Sequence, residues 1–215
     1  MKPSAKPQLP SRTDLEVIDG KVLVTEARLD QVVLSNVEAI SLHASNMNIQ
    51  ETILEKVLFT EAKLEKLSLM DVELLACDLS AATCLESSFI RTHFVGGRMT
   101  GIDLSRSTLK DVVFEDCKLD MTNFRFSKLT RVRFINCVMS EADFQVAELT
   151  DITFEGSELD KVEFGQCKLK NVDARSSQLF DIRGWQSLKG LTIDSTQLAS
   201  IAPQLAMELG LIVKE

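Results

Sequence analysis

Every residue whose number leaves remainder four on division by five, from Ile49 to Leu169, is apolar. The series passes through Leu54, Phe59, Leu79, Cys84, Phe94, Met99, Leu109, Phe124, Phe144 and Phe164 without an insertion. It extends outward to Val24, Leu29, Leu34 and Leu179, with only Ala39, Ala44 and Ala174 as weak points. A second lattice lies two residues before each of these centres and is mostly small or β-branched, as at Val57, Val72, Ala82, Ile102, Cys117 and Val132. No regular element has a period of five. On a helix each residue turns about 100°, so centres five apart scatter round the cylinder. On a strand they alternate between faces. A chain that keeps all its centres in one core must turn a corner in every unit, with two residues of each unit inward and three at the surface.

The number of sides follows from longer spacings. At 20-residue intervals Val32, Thr52, Val72, Thr92, Val112, Val132, Ile152 and Val172 are all β-branched, whereas 15-residue intervals give Val32, Met47, Ala62 and Cys77. From Phe114 to Leu169 the centres alternate Phe with Leu or Met, which sets the Phe residues on opposite sides of a four-sided coil. The pattern therefore predicts an all-β solenoid of about eight 20-residue coils, from Val22 to about Asp181. At about 4.8 Å per coil the rod is on the order of 38 Å long.

Units such as Cys77-Asp78-Leu79-Ser80-Ala81, Ile102-Asp103-Leu104-Ser105-Arg106 and Ala142-Asp143-Phe144-Gln145-Val146 resemble the repeat of the pentapeptide repeat family. That unit is a small residue, a polar one, Leu or Phe, then two polar ones. The resemblance covers about three quarters of the chain and implies a right-handed quadrilateral β-helix. It departs from the family pattern just before the centre, where Lys, Glu, Thr and Val are as common as Asp. The low glycine content, 9 residues, suggests corners that do not need glycine-rich turns.

Residues 1–14 carry Pro3, Pro7 and Pro10 but no lattice, and read as a mobile tail ahead of a β-helix over 15–184. Residues 185–215 read as a C-terminal cap, because a stacked solenoid must cover its open end. Asp194 or Ser195 can start a helix there, with Gln197 completing a capping box on Asp194. Leu198, Ile201, Ala202, Leu205 and Leu209 form its apolar stripe, Gly210 its stop, and Pro203 predicts a kink or two short helices. Trp185 and Leu188 are expected to cover the last coil. The family resemblance adds that such a helix caps the rod in many bacterial members and can join two chains, with Leu198, Ile201, Leu205 and Leu209 the candidate cap and homodimer residues. The N-terminus has no apolar signal region and no stretch reaches the length of a membrane span, so a cytoplasmic protein is expected.

The chain lacks a P-loop, a dinucleotide fingerprint and a nucleophile elbow, so no enzymatic activity, cofactor or metal is expected. His43 and His93 lie on different sides and read as solvated surface residues. Cys77, Cys117 and Cys137 share one inward column, where Cys117 and Cys137 should nearly touch; buried filler and a redox pair are the two readings. Gly96, Gly97 and Gly101 read as a local corner variant.

The outward positions differ by side. One side displays Val33, Ile53, Leu75, Val95, Val113 and Ile135, one apolar residue per coil, either an interaction surface or residues that merely suit a strand. Another carries Glu38, Glu61, Asp78, Asp120, Glu141, Glu158, Asp160 and Asp181 against Arg98, Lys118 and Lys161. Two functions are compatible with this. The first is a non-enzymatic scaffold that binds a protein partner on a face of the rod. The second comes from the resemblance: some family members mimic duplex DNA and occupy type II topoisomerases, inhibiting them or protecting them from quinolones. DNA gyrase or topoisomerase IV would then be the partner, and the net charge of −8 favours this. Twenty-four interspersed basic residues oppose it, and neither direct nucleic-acid binding nor membrane binding is expected.

Overall fold

The computed structural model describes residues 3–212, so Met1 and Lys2 of the expected tail and residues 213–215 of the expected cap lie outside the described residues. The chain winds into a parallel β-solenoid. Six eight-residue strands, Asn48–Glu55, Ser68–Leu75, Ser88–Val95, Thr108–Glu115, Lys128–Ile135 and Glu148–Glu155, stack side by side. Each bends over two adjacent sides of the coil. Every pairing between them carries the predicted 20-residue offset, as in Leu69 with Phe89, Phe94 with Phe114 and Phe134 with Phe154. The other two sides are joined by single bridges at the same offset, such as Asp103 with Asn123.

The corners are the main addition to the sequence picture. From Glu26 to Asp181 every fifth residue, two places after each centre, sits in the left-handed region. Thirty-two corners in succession make eight coils of four sides. A shorter turn precedes them, with Glu16 and Val17 pairing to Val32 and Val33, for about nine turns in all. Only Gly96, Gly101 and Gly156 among these corners are glycine; the other twenty-nine carry side chains, with φ between 45° and 69°. A left-handed L-residue costs about 1–2 kcal/mol. The return at most corners is an inter-coil backbone hydrogen bond: Asn36 N–H donates to Glu55 O at 2.9 Å, Ala76 to Val95 O at 2.8 Å and Asn136 to Glu155 O at 2.8 Å, while Gly156 and Gln166 donate to the Oγ of Ser176 and Ser187. The ladder thus continues round these bends, and their backbone donors are satisfied. Gly96 and Gly101 are ordinary members of this series, not a local variant. Gly97 instead faces inward, where a Cβ would lie 3.4 Å from Cys77 O and 3.8 Å from Cys117 Sγ.

The core is the predicted one, with every centre buried from Leu34 to Phe164. Phe94, Phe114, Phe134 and Phe154 stack face to face with centroids 4.8, 5.1 and 5.1 Å apart. Phe124, Phe144 and Phe164 stack on the opposite side at 4.7 and 5.3 Å. The two columns meet edge to face, as at Phe134 and Phe144, 6.2 Å apart.

The small residues of the inward lattice also have a polar task. Ser107 Oγ donates to Cys84 O at 3.1 Å, Ser157 Oγ to Phe134 O at 3.2 Å and Ser177 Oγ to Phe154 O at 2.9 Å. Cys117 and Cys137 make the same contact through sulfur, to Phe94 O at 3.5 Å and Phe114 O at 3.4 Å. Small donors suit this position because they fit between coils and bond a carbonyl of the preceding one.

At the C-terminal end, Trp185, Leu188 and Leu191 close over Phe154, Leu159, Phe164 and Leu179. The helix α1 (Ser195–Glu208) follows, and its capping box is formed: Gln197 N–H donates to Asp194 Oδ1 at 2.9 Å and Asp194 N–H to Gln197 Oε1 at 2.8 Å. The same Gln197 side chain donates to Ala174 O at 2.7 Å and Ser177 O at 2.6 Å, and Gln204 donates to Ile182 O at 2.6 Å. Two glutamines therefore tie the helix to carbonyls of the last coil. Of the two forms expected, a kink or two short helices, the second is excluded: α1 is a single element with Pro203 inside it. The proline has no N–H for the usual bond to the preceding turn, yet φ is compatible with helix and docking on the rod holds the segment.

Candidate functional site

The apolar residues Val33, Ile53, Leu75, Val95, Val113 and Ile135 all lie on one side, but the register divides them between two ladders. Val33 and Ile53 are followed in their ladder by Glu73, His93, Val113 and Arg133. Leu75 and Val95 pair with one another in the second ladder, which runs from Ser35 and Glu55 through Glu115 and Ile135 to Glu155. The stripe therefore weaves between polar and charged residues, and polar pairs cross it. His93 Nε2 is 2.9 Å from Glu115 Oε2, and Arg133 Nη2 donates to Glu155 Oε2 at 2.8 Å. His93 is thus a partly buried, paired residue and not a solvated one, while His43 is exposed.

The N-terminal segment, expected to be a mobile tail, lies on this same side. Leu9 and Leu15 pack on Val33, Ile53 and Leu75. Arg12 pairs with Glu55. Further along, Ser4, Lys6 and Pro7 edge a hollow of about 460 Å³ whose floor and walls are Glu73, His93, Val113, Glu115, Arg133 and Ile135. Val33 and Ile53 are buried under the segment; Val95, Val113 and Ile135 remain half-buried and reachable. The physical reason is that an uncovered Val33–Ile53–Leu75 patch costs free energy, and Leu9 and Leu15 supply its cover.

The corner that borders this side carries Asp71, Arg91, Asp111 and Arg131 in consecutive coils. Arg91 holds Asp71 in a two-pronged pair at 2.7 and 2.5 Å, and Arg131 holds Asp111 at 2.6 and 2.7 Å. Each aspartate also accepts a backbone N–H from the segment, Gln8 to Asp71 at 2.8 Å and Ala5 to Asp111 at 3.1 Å. Burial works to raise the Asp71 carboxyl, but Arg91 and the Gln8 amide outweigh it and hold the group below its ordinary value. At Asp111 the Arg131 hydrogen bond dominates and lowers it too, against the effect of burial.

The acidic residues do not form a continuous face. Glu38, Asp78 and Glu158 belong to one ladder that also contains Leu58, Arg98, Lys118 and Val138. Asp78 lies 3.9 Å from Arg98 and Asp160 3.8 Å from Lys161. Asp120 accepts a hydrogen bond from Ser140 N–H at 3.3 Å. Glu61, Glu141 and Asp181 stand at exposed corners. The expected cap residues also divide. Ile201 and Leu205 pack toward the rod, whereas Leu198 and Leu209 are 51% and 74% exposed.

All five cysteines are free and buried. Burial pushes Cys77 up to about 11 and Cys84 and Cys167 up to about 12. Cys137 is pushed up by its hydrogen bond with Cys117 and then by burial. The same hydrogen bond lowers Cys117 against the effect of burial, and the thiols of the column fill space and donate to carbonyls of the preceding coil. Among the described residues no group of three or more His, Cys, Asp or Glu is placed to hold a metal ion, and no helix is long and apolar enough to cross a membrane.

The family model described as the pentapeptide repeat region matches residues 67–133 and 127–198, which together span more than half of the chain. The chain belongs to the pentapeptide repeat family. No curated protein matches it. Among solved structures it is similar to QnrB1, a plasmid-mediated fluoroquinolone resistance protein, in its trypsin-treated form, at 21% identity and a TM-score of 0.42, covering 93% of this chain and 95% of that one. HetL, a pentapeptide repeat protein involved in heterocyst differentiation regulation in the cyanobacterium Nostoc sp. strain PCC 7120, is similar at 15% identity and a TM-score of 0.38, covering 82% and 93%. Rfr23 from the cyanobacterium Cyanothece 51142 is similar at 13% identity and a TM-score of 0.27, covering 73% and 86%.

Proposed function

We propose that this pentapeptide repeat protein is a non-enzymatic scaffold and that its partner protein docks on the side bearing Val95, Val113 and Ile135. The observation that carries this reading is the 460 Å³ hollow, in which reachable apolar side chains stand among His93, Glu115 and Arg133. A partly apolar floor with a charged rim is the anatomy of a protein-binding surface. A chain with Val95→Lys and Ile135→Lys, both on half-buried outward positions, keeps its fold and loses the partner recovered from source-cell cytosol by the native chain. An unchanged set of bound proteins would exclude this side.

The topoisomerase reading has weaker support. The exposed carboxylates Glu38, Glu61, Glu141, Glu158 and Asp181 favour it, but Arg98 and Lys118 interrupt the acidic ladder at mid-rod. Duplex DNA presents one negative charge per about 1.7 Å of axis, against one rung per about 4.8 Å on a β-ladder. Self-association, if used, falls to the outer face of α1, where Leu198, Met207 and Leu209 are exposed. Leu198→Asp then yields a smaller species on sizing; an identical elution volume means that the helix only caps.

A further inference from the structure

The course of residues 3–14 shows what kind of ligand this side of the rod accepts. Ala5 and Gln8 are three residues apart, and the aspartates that accept their N–H groups, Asp111 and Asp71, are two coils apart. Two coils are about 9.6 Å at the spacing of paired strands. Three residues of polyproline II rise about 9.3 Å. Ser4, Pro7 and Pro10 stand three apart and are partly buried, as is Leu9, whereas Ala5, Lys6 and Gln8 are exposed. Ser11 has φ −58° and ψ 139°, within the polyproline region. Period, rise and dihedral agree: the rod carries carboxylates at the pitch of an extended proline-bearing chain.

We infer that this side is a docking track for polyproline-type segments, occupied in the resting protein by its own residues 3–11, which end at the 3-10 turn Arg12–Asp14, and open in exchange to a proline-bearing extended segment of a partner protein. The acceptor rail has a third member at the same step, since Asp151 stands two coils beyond Asp111 in the corner column. The intervening arginines fix the carboxylates: Arg91 and Arg131 each occupy both oxygens, leaving a lone pair on Oδ1 for the incoming amide. The apolar part is supplied by Val33, Ile53 and Leu75, where Leu9 now sits. A ligand with prolines three apart comes already extended and loses little conformational entropy on docking. The resident segment lowers the apparent affinity for any competitor by the fraction of time it occupies the track.

This inference rests on the scaffold reading and names its partner's chemistry, but its test is separate. The ligand is a fluorescein-labelled synthetic peptide of residues 1–14, and the receptor is the full-length chain with residues 3–9 replaced by Gly and Ser. Fluorescence anisotropy is expected to show saturable binding to this chain and binding at least about ten-fold weaker to the native one. Adding Asp71→Asn and Asp111→Asn to the replaced chain is expected to weaken binding by at least about ten-fold. No saturable binding up to millimolar receptor, or binding indifferent to the two aspartates, overturns the track. If the replaced chain does not fold, amide exchange on the native chain decides: protected Ala5 and Gln8 amides that become unprotected with Asp71→Asn and Asp111→Asn support the track, and amides unprotected from the start refute it. Loss of the cytosolic partner with Val95→Lys and Ile135→Lys, together with failure of the peptide to bind, would leave the scaffold reading standing and the track refuted.

Discussion

Gly101 and Gly184 both lie in the left-handed region, at φ +69° and +78°, and differ in what surrounds them. A Cβ at Gly101 meets nothing within 4 Å. A Cβ at Gly184 would lie 2.5 Å from Gly165 N, 2.7 Å from Phe164 C and 2.8 Å from Gly165 Cα, all backbone of the coil beneath. Gly101→Ala therefore carries only the conformational term: about 1–2 kcal/mol for a left-handed non-glycine, less about 0.4–1 kcal/mol regained because alanine restricts the unfolded chain. The net loss is about 0.5–1 kcal/mol. Gly184→Ala has the same term plus the cost of forcing two backbones apart, about 1–3 kcal/mol for overpacking, for a total of about 2–4 kcal/mol. Trp185, the single tryptophan, follows Gly184 in the chain and lines the junction of the last coil and the cap. Its emission in a urea titration reports the cap directly, and far-UV circular dichroism reports the coils. Gly184→Ala is expected to move the tryptophan transition to lower urea and ahead of the dichroism transition, since a linear array can fray from one end. Gly101→Ala is expected to shift both slightly and together. Equal losses for the two variants would refute the close approach of the Gly184 turn to the coil below.

Three further outcomes follow from the same geometry. The Asp71 and Asp111 carboxyls are held below their ordinary values in the folded chain, so their stabilising contribution is present above the ordinary carboxyl value of about 4 and is lost as the pH falls through the lowered value. The protection factor of the Gln8 amide, its exchange rate relative to the intrinsic rate at the same pH, should fall in that acid range, and Asp71→Asn should remove most of the difference between neutral and acid pH; a pH-independent protection factor would contradict the contact. All five thiols are buried, and burial also pushes Cys77 up to about 11 and Cys84 and Cys167 up to about 12, so an aromatic disulfide reagent at pH 8 should modify none of them until urea unfolds the rod; rapid modification of the native chain would mean an open core. Micromolar protein should leave gyrase supercoiling unchanged because Arg98 and Lys118 break the acidic ladder; inhibition that weakens steeply with salt would restore the mimic reading.

Much of the architecture was legible because it depends on spacing alone. The centres, the 20-residue register, the two Phe columns and the Asp194–Gln197 capping box are all recoverable from residue positions, since each coil repeats the geometry of the one before. The left-handed corners were not legible. Sequence signals such a conformation through glycine, and here Lys, Asp, Glu and even Phe126 and Val146 occupy it, held by inter-coil hydrogen bonds that compensate the local strain. The candidate site was legible only in pieces. Val33, Ile53, Leu75, Val95, Val113 and Ile135 were assigned to the right side, but they alternate between positions before and after the centre, and this places them in two ladders. His93 and Glu115 are 22 residues apart, so the 20-residue columns did not pair them. The Asp71-Arg91-Asp111-Arg131 alternation stands plainly in the corner column and could have been found there. What it does for Ala5 and Gln8 could not, because a segment outside the repeat has no register to count from.

The account stands on coils of 20 residues, and shortening the rod measures this directly. Removing residues 101–140 deletes two whole coils and sets Phe154 over Phe94, Ile152 over Thr92, Glu155 opposite His93 and Asp151 beside Arg91. Removing residues 101–135 takes out less chain but turns every later coil by one side, so that Leu149 falls over Phe94 and Ala147 over Thr92. Urea midpoints of the two shortened chains are the decisive measurement. The longer deletion is expected to give the higher midpoint and native-like Trp185 emission; an equal or higher midpoint for the shorter deletion would contradict the four-sided coil.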